Sequence, residues 1–136
     1  MIKKLNKYSY AQGTRYTDNG SRNYDVAGYR LPSVTTILGK TKDDTYLRDW
    51  IKKKGKKEAD RIKNESAVRG TSMHKYLENY VLGKGYEDLT ELGQTTKRMA
   101  EKVIEVGLAP VSGYFGSEVT LYYPGLYAGA TDLVGI

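Results

Sequence analysis

Three residues break the pattern of the segments that hold them, and their types suit a hard divalent cation. His74 is the only histidine in the chain. It follows Met73 at the edge of an apolar stripe, with Glu78 one helical turn later on the same side. Taken alone, such a histidine reads as a partly buried residue with a hydrogen-bond partner. Asp132 lies inside an otherwise apolar run, where propensity and desolvation both disfavour an aspartate unless the position faces solvent at an edge. Glu118 opens the preceding run, where a solvated strand end is an adequate reading. Together, one imidazole on a helix and two carboxylates on a neighbouring hairpin, in a basic chain, suit a hard divalent cation that works on phosphodiesters.

That joint reading sets a condition on the hairpin. If Tyr123 pairs with Leu126 across a two-residue turn, Glu118 faces Thr131 and Asp132 points to the opposite face of the sheet. If Tyr122 pairs with Leu126, the two carboxylates lie diagonally on one face, roughly 7–8 Å apart at the backbone. A bulge at Gly129 also flips the register. The expectation is one of the arrangements that brings them together.

The chain has 136 residues, 22 Lys+Arg against 16 Asp+Glu, and no cysteine. Disulfides, cysteine–zinc sites and iron–sulfur clusters are thereby excluded. The charge is uneven. Residues 1–75 carry 18 basic and 8 acidic side chains, net +10, and residues 76–136 carry 4 and 8, net −4. The densest cluster is Lys52-Lys53-Lys54-Gly55-Lys56-Lys57, which reads either as a solvated helix face or as a surface for a polyanion such as nucleic acid. The N-terminus has no apolar run for a secretory signal and no stretch suits a membrane span, so a cytoplasmic, non-membrane protein is the default expectation.

The pattern predicts a mixed α/β (α+β) chain. Residues 22–34 read as a short hairpin turning near Ala27-Gly28, with Ser33 capping a helix from Val34 that Gly39 closes. Leu47, Trp50 and Ile51 predict a helix running into the lysine cluster, and Ala59 and Ile62 continue the pattern toward Val68. Gly70 breaks it. A new helix then carries Met73, Tyr76, Leu77, Tyr80 and Val81 on one stripe and stops at Gly83. Thr95 or Thr96 caps a further helix, with Met99, Ala100, Val103 and Ile104 facing the core. Two strands follow, Glu118 to Tyr123 and Leu126 to Val134, around Pro124-Gly125. Residues 1–136 read as one domain, with 1–21 poorly ordered or peripheral.

The order of these pieces resembles the PD-(D/E)XK nuclease superfamily. They are Leu31-Pro32-Ser33-Val34-Thr35-Thr36-Ile37-Leu38-Gly39, Trp50, Arg69-Gly70-Thr71-Ser72-Met73-His74-Lys75-Tyr76-Leu77-Glu78, and Glu118 to Gly135. The likeness is nearest to the RecB-like exonucleases of phages and of mitochondrial genome maintenance, and covers roughly residues 22–136. It implies a restriction-endonuclease-like core, with helices from the N-terminal part packed on a mixed sheet. It implies a Mg²⁺- or Mn²⁺-dependent deoxyribonuclease, with His74 and Asp132 as metal ligands and Glu118 as the acidic residue before the aspartate. Ser33 and Thr35, with helix N-terminal amides, would meet DNA phosphates, and Arg69, Thr71 and Lys52, Lys53 and Lys54 would help hold the strand, its ends or single-stranded parts.

The family's signature continues on the next strand with an acidic residue, one spacer and a lysine, and no such motif stands after Asp132. The expectation is a chain truncated before that strand: a partial nuclease domain, incomplete at the C-terminus and inactive alone if the motif is absent. The rival reading is a non-catalytic basic DNA-binding fragment or accessory subunit, which shares the basic half and needs no metal. An unrelated soluble domain with solvated lysines is a third.

Overall fold

The computed structural model describes residues 2–136. The fold is mixed α+β, with four α-helices and two small sheets among the described residues. The chain divides into two compact units. Residues 2–42 and 111–136 form a strand-rich unit, and residues 43–110 form a helical one.

In the strand-rich unit, β1 is Lys3–Lys4, β2 Gly13–Asp18, β3 Ser21–Val26 and β4 Tyr29–Pro32. Strands β2, β3 and β4 make an antiparallel sheet in that order. Its two turns, Asn19-Gly20 and Ala27-Gly28, hold both central residues at positive φ, the conformation that matches the twist of a two-residue hairpin. The turn at Ala27-Gly28 is where the sequence puts it. β1 and β2 lie in the segment expected to be poorly ordered or peripheral. β2 is a largely exposed edge strand, so it lacks the apolar alternation by which strands are recognised, and Asn19-Gly20 is its one strong signal.

The second sheet has the order β1-β5-β6, where β5 is Gly113–Tyr123 and β6 Tyr127–Gly135. β1 runs parallel to β5, and β5 antiparallel to β6, so this sheet is mixed. A parallel bridge from Ser33 to Ala128 stitches the end of β4 to β6. Tyr24, Val26, Leu31 and Ala128 form the buried cluster at this junction. Helix α1, Val34–Thr41, starts at the expected cap, with the Thr36 amide donating to Ser33 Oγ at 3.0 Å. It passes through Gly39 and ends two residues later.

In the helical unit, α2 is Thr45–Lys54, α3 Lys56–Val81 and α4 Glu91–Lys102, with a wider π-helical turn over Val103–Gly107. Gly55, at φ +86°, separates α2 from α3. The expected break at Gly70 does not occur. One interior glycine costs only about 1 kcal/mol relative to alanine, and the continuous hydrogen-bond ladder of a 26-residue helix outweighs it. Met73, Tyr76, Leu77, Tyr80 and Val81 are all half-buried or buried, as their spacing predicts.

Helix α4 starts earlier than expected. Thr90 is its cap, accepting from the Gly93 amide at 3.0 Å. Thr96 is fully buried instead, and its hydroxyl meets that of Ser72 on α3 at 2.9 Å. The buried stripe of α4 is Gly93, Thr96 and Ala100, while Met99 and Val103 are exposed. The small residues form the packed seam, which a search for large apolar residues misses. Among the described residues, no helix is long and apolar enough to cross a membrane.

Candidate functional site

The β5–β6 hairpin turns through Pro124-Gly125. The Leu126 amide donates to the Tyr123 carbonyl at 3.0 Å, and Gly125 takes φ +76°. Proline followed by a residue at positive φ is the type II arrangement, which admits glycine readily at its third position. Tyr123 therefore pairs with Tyr127, leaving three residues in the connection. The register runs evenly through Leu121 opposite Gly129, with no bulge there, to Val119 opposite Thr131 and Ser117 opposite Leu133. Glu118 and Asp132 fall between those two pairs, directly across from each other. The expected shared face is thus reached by a third register, in which the two residues are direct rather than diagonal neighbours. One oxygen of each carboxylate lies within 4.8 Å of the other.

Glu118 also has a backbone feature that composition does not show. Its φ is +52° in mid-strand. The other positive-φ residues that are not glycine, Asn19 and Ala27, sit in tight turns. A glutamate in the left-handed region costs of order 1 kcal/mol or more, and such strain tends to collect where a side chain must be aimed. Both carboxylates are exposed. Like charges directly opposite in a ladder repel. Two exposed carboxylates converging in this way give a hard cation two oxygen donors on a rigid support.

A groove of about 620 Å³ on the strand-rich unit is lined by both carboxylates. Thr35 also lines it and is exposed, at the first turn of α1. Ser33 lines the same groove but is only 1% exposed, and its Oγ lies 2.9 Å from Thr35 Oγ1 and 2.8 Å from Thr36 Oγ1. Its hydroxyl is engaged in capping, so Thr35 is the hydroxyl with access to the groove. Arg15 and Arg22 line the groove as well, and neither is among the residues expected there from the sequence. Their signal is the register: Arg15 pairs with Tyr24, and Arg22 precedes Tyr24 by two, so alternation puts all three on one face of the β2–β3 hairpin.

The remaining expected residues lie in the helical unit. His74 is exposed on α3. Thr71 is exposed, and its hydroxyl donates back to the Ala67 carbonyl at 3.0 Å. Arg69 is half-buried, with Nη2 3.5 Å from Ser66 Oγ. Lys52, Lys53 and Lys54 are exposed in the last turn of α2, where cations complement the carbonyl end of the helix.

Compared with known proteins, the chain matches no family model, no curated protein and no solved structure.

Proposed function

We propose that this chain carries the cation-binding part of a metal-dependent DNA exonuclease, an enzyme that hydrolyses phosphodiesters. The observation that supports this best is the Glu118–Asp132 pair, two carboxylates converging across one hairpin with Glu118 held at positive φ. His74, Glu118 and Asp132 can each offer one ligand atom. Carboxylate oxygens fit Mg²⁺ or Mn²⁺, which favour oxygen donors. In this reading His74 and Asp132 are the metal ligands that the order of motifs implies, and Glu118, catalytic beside Asp132, adds a second carboxylate to the cation. A bound cation would lower the pKa of a coordinated water and offset the charge growing on the phosphate.

The chain's own groups supply the rest. Thr35 and the amides at the start of α1 offer hydrogen bonds to a phosphate at the groove. The exposed lysines Lys52, Lys53 and Lys54, with Arg69, add attraction for the backbone that is independent of sequence. The order of motifs described above, from Pro32-Ser33 through Gly70-Thr71-x-x-His74 to Glu118 and Asp132, supports the same reaction class.

The test incubates end-labelled DNA, Mg²⁺ and the protein. Nucleotides are expected to be released from the ends, and EDTA, His74→Ala or Asp132→Ala to abolish the release. Undiminished release by Asp132→Ala would overturn the reading.

A further inference from the structure

We infer that the groove on the strand-rich unit receives an unpaired DNA end, with Arg15 and Arg22 on its phosphates and Tyr123 and Tyr127 as the platform on which its bases stack. That the ligand is DNA rests on the nuclease reading; the choice of an unpaired strand and of these four residues rests on the groove itself. Tyr123 and Tyr127 line it, are directly paired in register, and are 55% and 41% exposed. Their rings lie 5.8 Å apart at 30°, so they form one broad, slightly folded aromatic surface. Tyr122, also lining the groove, makes a second tilted pair with Tyr29. Exposed aromatic area gathered at one end of a hairpin marks an interaction surface.

Charge selects the partner. Among the described residues no ion pair involves Arg15 or Arg22, and both are exposed. Two guanidinium groups beside an aromatic platform suit a ligand that alternates phosphates with flat rings. Every base has a face to stack, so the platform tolerates any sequence. In a duplex those faces are already stacked on one another. The groove's volume falls in the range of about 300–1,000 Å³ typical of small-molecule sites, room for a nucleotide or two and not for a duplex turn.

The experiment is fluorescence anisotropy in EDTA, with a labelled oligothymidylate and a blunt duplex of equal length. Wild-type protein is expected to bind the single strand at least tenfold more tightly. Tyr123→Leu with Tyr127→Leu should weaken single-strand binding about tenfold or more and leave duplex binding within about twofold, a size set by base–aromatic stacking. Tyr123→Phe with Tyr127→Phe keeps the rings and should keep the affinity. Arg15→Gln with Arg22→Gln, on separate strands, tests the groove independently of the hairpin tip. It should weaken binding and lower the salt slope by about 1.4, at roughly 0.7 per phosphate contact on a single strand. Equal losses on both DNAs, or full affinity in the leucine and glutamine pairs, would overturn the proposal. Mn²⁺ titration of the same preparations separates this from the nuclease reading. Tyrosine-dependent single-strand binding without Mn²⁺ binding would support the groove and sink the metal site, and the reverse would sink the groove alone.

Discussion

Glu118 stands opposite Asp132 across the β5–β6 hairpin at φ +52°, with an oxygen of each carboxylate within 4.8 Å of the other. Two costs coincide there, a left-handed glutamate backbone and a pair of like charges. A cation between the two carboxylates would offset the repulsion.

Backbone strain at Glu118 predicts that glycine is a better replacement than alanine. Glycine takes φ +52° without a Cβ penalty, and alanine does not. In thermal melts without metal, Glu118→Gly should be more stable than Glu118→Ala by about 1 kcal/mol. Equal stability, or a more stable alanine variant, would show that no strain is stored there.

Ser33 predicts a local loss. Its hydroxyl caps α1 and meets two threonine hydroxyls, and its backbone bridges to Ala128. Ser33→Ala keeps the bridge and removes the cap, at about 1 kcal/mol. Urea titration should show a lowered midpoint with an unchanged slope. An unchanged midpoint would mean that water replaces the cap.

Acid should loosen the starts of α2 and α4 together. The Thr45 hydroxyl and amide hold the Asp43 carboxyl below the usual aspartate range, and the Thr90 hydroxyl and amide do the same for Asp88. Both folded-state values are lowered. Their stabilisation is therefore complete above the ordinary aspartate value of about 3.9 and is lost as pH falls through the lowered values. Amide exchange at these two helix starts should rise at low pH in the wild type. In Asp43→Asn with Asp88→Asn that rise should be smaller, and equal profiles would contradict the assignment.

What was legible in the sequence follows from where large apolar and turn-forming residues stand. The stripe from Met73 to Val81, the Ser33 cap and the Ala27-Gly28 turn are each carried by residues with one dominant physical role. The α4 seam was legible only at Ala100, because Gly93 and Thr96 pack by being small and Thr96 satisfies its hydroxyl on Ser72. The run through Gly70 was not legible, because the local penalty of one glycine is small beside the ladder of a 26-residue helix. At the site, the convergence of Glu118 and Asp132 was expected, but the register was not. A Pro-Gly pair does not say which neighbour joins a three-residue connection, and here Leu126 joins the loop instead of Tyr123. Arg15 and Arg22 stayed hidden because a basic side chain on an exposed strand resembles any other until the pairing with Tyr24 is known.

The measurement that bears most directly on the central claim is calorimetric titration of Mn²⁺ into the wild type, Glu118→Gln and Asp132→Asn. One site is expected in the wild type, with an affinity at least tenfold lower in each variant, about 1.4 kcal/mol or more. Saturating Mn²⁺ should raise the wild-type melting temperature and leave the variants nearly unmoved. Equal Mn²⁺ affinity in all three proteins would contradict the claim that Glu118 and Asp132 together hold a cation.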